Sequence, residues 1–201
     1  MVHTLKLIIS YHKPAYLLKD DVFFPVHGGR DIALQRNKDG QLNHNDYQWL
    51  MDNLVGDNTG ENISSYNREF GELGALYWAW KHYDEIGNPD FIGLMHYRRH
   101  FVFSTEDRHV YNIPYPGSTY LEDIHYSAEN IESLLSKYDV FCPVPLHTMT
   151  WNAQSVYQQY LEGPQHDISD LETAVKILKK KYPKLAKTAD AYIHGNQAYL
   201  F

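Results

Sequence analysis

Residues 90–103 read Asp-Phe-Ile-Gly-Leu-Met-His-Tyr-Arg-Arg-His-Phe-Val-Phe, and four of them, His96, Arg98, Arg99 and His100, are or can be cationic. They follow directly on the apolar run Phe91-Ile92-Gly93-Leu94-Met95, which has the length and flanks of a strand buried on both faces. If extended geometry continues past Met95, the two-residue period places His96, Arg98 and His100 on one face and Tyr97 and Arg99 on the other. Ligands of open α/β sheets bind beyond the carboxyl ends of the strands. The chemistry on offer is an anion site, with Arg98 or Arg99 gripping phosphate through paired N–H donors. The plain alternative is a solvated strand end whose arginines pair with some of the 25 acidic residues.

A second polar cluster, Tyr11-His12-Lys13-Pro14, ends the first strand expected, residues 5–10. Pro14 forbids a helix there, and His12 and Lys13 fall where a nucleotide-binding sheet makes its first ligand contacts. Glu72 is either a catalytic carboxylate or an ordinary helix-surface acid. Residues 28–30, Gly-Gly-Arg, form a turn after a short second strand at 22–26, with a spacing that fits neither glycine-rich phosphate fingerprint.

The elements that must position these groups alternate between strand and helix. Residues 32–67 are polar and turn-rich, with a short helix at 47–54 and Ser64 or Ser65 as a helix cap. Phe70, Leu73, Leu76, Tyr77, Trp80 and Tyr83 recur at helical steps, which predicts a helix over 70–83 along that stripe, with Gly74, Ala75 and Ala79 allowing close packing. Gly87-Asn88-Pro89 stops it before the 90–103 stretch. Residues 104–127 read as a loop whose tyrosines 111, 115, 120 and 126 can wall a pocket, around Pro114, Pro116 and Gly117. Ser127 caps a helix to about residue 138, and residues 139–143 form a further buried strand. Residues 151–161 are helical. Residues 171–182 form a periodic helix with Val175, Leu178 and Tyr182 inward and Lys179-Lys180-Lys181 outward, a solvated face or a membrane-surface contact. The chain ends on Tyr199-Leu200-Phe201 without a polar tail, which points to an end inside an element.

At 201 residues and 43 % hydrophobic content the chain suits one domain, residues 1–201. A net charge of −7 argues against a nucleic-acid binder. The lone Cys142, between Phe141 and Pro143, reads as a small buried hydrophobe in a reducing compartment. There is no signal-peptide pattern and no apolar run long enough to span a bilayer, so the expected location is the cytoplasm. No nucleophile elbow, Walker loop, dinucleotide fingerprint, zinc-binding helix or Asp-x-Asp pair is present.

Taken together, Tyr11-His12-Lys13-Pro14, Gly60-x-Asn62-Ile63-Ser64, Glu72-Leu73-x-Ala75-Leu76-Tyr77-Trp78-x-Trp80-Lys81 and Ile92-Gly93-Leu94-x-His96-Tyr97-Arg98-Arg99-x-Phe101 resemble the bacterial family DUF4422 over nearly the whole chain. His166-Asp167 and Ile193-x-x-Asn196 look like its later landmarks. The resemblance implies an α/β, GT-A-like (Rossmann-like) fold, with a mixed, mostly parallel sheet flanked by helices and a domain continuing past residue 199. It also implies a glycosyltransferase of capsular and exopolysaccharide synthesis, of hexosyltransferase type, at the inner face of the plasma membrane. Its partners would be a nucleotide-sugar donor, UDP-linked, and a saccharide or lipid-linked acceptor.

Where GT-A enzymes commonly carry a metal-binding Asp-x-Asp, this chain reads His96-x-Arg98. The resemblance therefore assigns diphosphate to Arg98 and Arg99 with His96 alongside, and the nucleotide end to His12 and Lys13. Asn62 and His166 join them as substrate contacts, and Asp167, ahead of Glu72, is the base. A metal-dependent transferase holding Mg or Mn through scattered His and Asp ligands stays open, as does a non-catalytic nucleotide- or saccharide-binding domain.

Overall fold

Strand β1 (Leu5–Tyr11) lies between two parallel neighbours, β2 (Phe23–His27) and β4 (Phe91–His96), and β3 (Val55–Gly56) extends the sheet beyond β2. The order is β3-β2-β1-β4. Chain direction therefore reverses its lateral progress after β3, and β4 lands on the far side of β1. These relations come from a computed structural model that describes residues 3–36, 40–106, 119–164 and 166–198. Two compact units divide at Phe141, one of Met1–Phe141 and one of Cys142–Leu200.

In the first unit the alternation of β1 sorts its apolar residues onto two cores, as a sheet covered on both faces requires. Leu7, Ile9 and Tyr11 pack with Phe23, Leu50, Met95, Ile124, Ile131 and Leu135. These bring helices α1 (His44–Asn53), α4 (Tyr120–Asp123) and α5 (Ala128–Leu135) onto one face. Ile8 packs on the other face with Val26, Ala75, Trp78, Ala79 and Ile86. The expected α/β architecture is present. Ser127 caps α5 as expected, accepting from Asn130 N at 3.1 Å, although the helix stops at Leu135.

Three expectations in this unit are corrected. β4 is an outer strand of the four, and its first half is not buried: Ile92 is 39 % exposed. The helix expected over 70–83 is broken. Helix α2 (Asn67–Phe70) ends at Gly71, whose φ of 52° and ψ of −131° suit only glycine, and α3 (Leu73–Lys81) starts anew. Nor is that stripe the buried face of α3. Gly74, Ala75, Trp78 and Ala79 are buried, while Phe70, Leu73 and Trp80 are exposed. Periodicity fits both stripes; small residues let the helix approach Ile8 and Val26 closely, and Trp78 fills what remains.

Residues 139–143 form no strand, and Cys142 is exposed rather than buried. Pro143 and Pro145 remove backbone donors there. Ser64 caps nothing. It is buried, and its hydroxyl donates to Asp57 Oδ1 at 2.5 Å. The readings at Tyr111, Pro114, Tyr115, Pro116, Gly117 and residues 199–201 fall outside the described residues.

The second unit pairs β5 (Leu146–His147) antiparallel with β6 (Gln197–Ala198) and carries α6 (Val156–Leu161), α7 (Ile168–Lys181) and α8 (Ala186–Ile193). Ser155 caps α6, and Asp167 caps α7 through its carboxylate, which accepts from Ser169 N at 2.9 Å. None of the described residues in these three helices is fully buried. Val175 and Leu178 are half-buried as expected, but Tyr182 is 59 % exposed. No helix among the described residues is long and apolar enough to cross a membrane.

Candidate functional site

All four strands of the sheet run the same way, so the residues after each carboxyl end share one edge. That edge carries His12 and Lys13 after β1, His27 through Arg30 at the end of β2, Asp57 after β3, and His96 through Arg99 at the end of β4. The crevice between β1 and β4 lies where the strand order reverses, the usual ligand position in such sheets.

At β4 the chain does not continue extended. Arg99 N donates to the His96 carbonyl at 2.9 Å, closing a tight turn over Tyr97 and Arg98. The alternation expected for His96, Arg98 and His100 is thus replaced by a hairpin-like reversal. His96 points inward and is buried, Tyr97 is buried in the opposite core, and Arg98 is exposed with its guanidinium 5.1 Å from the Tyr97 ring centre. Arg99 is half-buried.

The imidazole of His96 has defined partners. Its Nδ1 accepts from Arg98 N at 3.1 Å, which leaves the proton on Nε2. That Nε2 faces Glu72 Oε1 at 3.8 Å. Burial, and then the charges of Arg98 and Arg99, push the His96 pKa down to about 3. His96 is therefore neutral at physiological pH, and its contact with Glu72 is a neutral donor facing a carboxylate, not an ion pair. His100 is held down to about 4, mainly by burial, with Nδ1 on the Tyr120 hydroxyl. Of the four groups expected to be cationic here, the two arginines alone carry charge.

Glu72 reaches this point because Gly71 breaks the chain between α2 and α3, leaving Glu72 at the N-cap of α3. Across the crevice, the half-buried His12 ring meets Tyr97 edge-to-face at 5.0 Å and lies 6.0 Å from the His96 ring. Lys13 is exposed beside it. The fold thus gathers His12, Lys13, Glu72, His96, Arg98 and Arg99 at one edge. The remaining candidates have other duties. Asn62 shapes its own loop, accepting from Ser64 N and donating to the Gly60 carbonyl, both at 3.0 Å. His166 and Asp167 belong to the second unit. His166 stacks on Tyr160 at 4.2 Å, and the hydrogen bonds from Ser169 hold the Asp167 carboxyl below its ordinary range, opposite to the shift that favours a base.

Asp57 is the group that reading the sequence missed. Fully buried, it accepts from Gly29 N at 2.7 Å, Arg30 N at 3.1 Å and the Ser64 hydroxyl at 2.5 Å. It pins the turn after β2, where Gly29 has φ 68° and a Cβ would fall 2.5 Å from the Asn67 side chain. Arg30 then donates to His27 Nδ1 at 3.1 Å and to the Leu54 carbonyl at 2.8 Å. Burial and the Arg30 charge push His27 down to about 3. The available signal was an Asp directly after a two-residue strand, Val55–Gly56, too short to recognise in a polar segment. Among the described residues no three His, Cys, Asp or Glu side chains gather as they would around a metal ion. The donors at β4 are guanidinium N–H groups, which suit an anion.

A family described as "Domain of unknown function (DUF4422)" matches residues 6–201. A solved structure of the bifunctional glycosyltransferase WbbM, in its apo form, is similar with a TM-score of 0.76 and 26 % identity. The similarity covers 98 % of this chain and 33 % of that one, so the chain spans about a third of the neighbour's length. No curated protein matches.

Proposed function

The chain belongs to the DUF4422 family, and from its site we propose that it transfers a sugar from a UDP-linked donor to a saccharide or lipid-linked acceptor in capsular or exopolysaccharide synthesis. The observation that carries this reading is the setting of Arg98 and Arg99. They sit in a tight turn at the carboxyl end of β4, beside the reversal of strand order, on a sheet that matches a glycosyltransferase. In glycosyl transfer the acceptor oxygen attacks the anomeric carbon while the bond from that carbon to the diphosphate oxygen breaks. Negative charge grows on the leaving diphosphate, and fixed guanidinium donors stabilise it most in the transition state. No metal is assigned to this step; activity surviving EDTA supports that assignment, and loss restored by Mg or Mn overturns it.

Neutral His96 adds no charge to the anion site. Its Nε2–H faces Glu72 Oε1 at 3.8 Å, beyond direct hydrogen-bond distance, and in an inverting reaction the Glu72 carboxylate takes the proton of the acceptor hydroxyl. His12 and Lys13 line the nucleotide end. The test is calorimetric titration with UDP and UDP-hexoses, followed by a product assay with saccharide and lipid-linked acceptors. Turnover that Arg98→Ala abolishes supports the reading. UDP binding without turnover would establish the alternative, a non-catalytic nucleotide- or saccharide-binding domain, which the chain's one-third share of its neighbour also fits.

A further inference from the structure

Six lysines and no acid lie between Glu172 and Asp190, in a chain whose net charge is −7. The structure divides them. Lys179 is turned back onto the protein and bonds Asp190 Oδ1 at 2.5 Å, tying α7 to α8. Lys180, Lys181, Lys184 and Lys187 are exposed around the connection between the two helices, as is Lys176 on α7. That connection is a 3₁₀ turn, Pro183–Leu185, closed by Leu185 N donating to the Tyr182 carbonyl at 2.9 Å. Its two apolar side chains face outward: Tyr182 is 59 % exposed and Leu185 49 %.

A lysine run on a helix is ordinarily a solvated face, and that reading accounts for Lys176. It does not account for Tyr182 and Leu185, held outward on a closed turn with four ammonium groups around them. Burial of apolar surface favours folding those two inward. The combination of an aromatic and an aliphatic tip with a lysine collar matches a bilayer interface, where amphipathic rings lie at headgroup level and lysines contact anionic lipid.

We propose that the α7–α8 connection docks on an anionic phospholipid surface. Tyr182 and Leu185 enter the interfacial layer, and Lys180, Lys181, Lys184 and Lys187 pair with headgroup phosphates. This assignment stands independently of glycosyl transfer. The acid-free stretch supplies charge complementarity to such a surface in a chain that is otherwise net acidic.

The test is flotation of the whole chain with vesicles of phosphatidylcholine alone or mixed with phosphatidylglycerol, at low and high salt. The expected result is binding to the mixed vesicles only, weakened by salt. Lys180→Glu/Lys184→Glu should weaken it about thirtyfold or more, because losing two such charges gives about that factor and reversing them adds to it. Tyr182→Ala/Leu185→Ala should remove the part that survives high salt, with circular dichroism unchanged in both variants. Equal binding to neutral vesicles overturns the proposal, as does mixed-vesicle binding indifferent to the lysine changes. So does an oligonucleotide that binds as tightly as the vesicles regardless of Tyr182 and Leu185, which would make the patch a nucleic-acid contact. Loss of a dimer in the Tyr182/Leu185 variant without any vesicle binding would instead assign the turn to a second copy of the chain.

Discussion

His96 Nε2 stands 3.8 Å from Glu72 Oε1, joining the end of β4 to the start of α3. The imidazole is neutral and buried, and its other nitrogen is occupied by Arg98 N, so Glu72 faces a fixed donor. Glu72→Gln keeps the shape and removes the base. Transfer is expected to fall about 10²- to 10⁴-fold, with UDP affinity by calorimetry unchanged. His96→Gln should cost less and shift the pH dependence assigned to Glu72, the mark of a positioning residue.

Arg98 is exposed and packs only against the Tyr97 ring among the contacts described for its side chain. Arg98→Ala should therefore leave the unfolding free energy in urea within about 0.5 kcal/mol of the parent while reducing turnover by about 10²-fold or more. Arg98→Lys should recover only part, because an ammonium lacks the planar pair of donors. Full turnover in Arg98→Ala removes this residue from the mechanism.

Three imidazoles, His27 and His96 buried and His100 half-buried, couple folding to acid. His27 and His96 titrate at about 3 and His100 at about 4, all lowered chiefly by burial. In the unfolded chain histidine titrates near 6.5. Between those limits the unfolded chain binds protons that the folded one refuses, so stability falls as pH drops from about 6.5 towards 4 and then 3. The slope approaches about 1.4 kcal/mol per pH unit for each histidine. Urea denaturation across this window checks it; a flat profile contradicts it, and His96→Gln should make it shallower.

The two faces of α3 give opposite mutational outcomes. Trp78 is 1 % exposed and its Nε1 donates to Thr59 Oγ1 at 2.8 Å, whereas Trp80 is 63 % exposed with Lys81 Nζ 4.3 Å from its ring. Trp78→Ala should destabilise by about 3–5 kcal/mol and Trp80→Ala by less than about 1 kcal/mol. Equal losses would mean the helix packs through the other stripe.

Removing the Asp57 carboxylate strands three donors, Gly29 N, Arg30 N and the Ser64 hydroxyl. Asp57→Ala should cost about 3 kcal/mol or more, measured by urea denaturation, and loosen the turn after β2 as read by amide hydrogen exchange at residues 28–31.

What could be read from residue order alone follows from where the physics is local. β1, β2, the Ser127 cap and α7 announce themselves through alternation, a capping hydroxyl and a helical period. The position of Arg98 and Arg99 at the carboxyl end of a strand was legible too, because they follow an apolar run. The inward face of α3 was not. Phe70, Leu73 and Trp80 outrank Gly74 and Ala75 in hydrophobicity, and only the nearness of β1 and β2 makes small residues the better fit. The charge states of His96 and His100 depend on burial, and the role of Asp57 depends on donors 27 and 28 residues away in the chain. Neither leaves a trace in spacing.

The reversal pinned by Arg99 N on the His96 carbonyl separates scaffold from specificity. Because the arginines hang from a turn and not from strand register, substitutions at Arg98 and Arg99 leave the pairing of β4 with β1 as it is. Under the proposed function, preference among donors is expected to change when this short tip is grafted, with the sheet beneath it left intact.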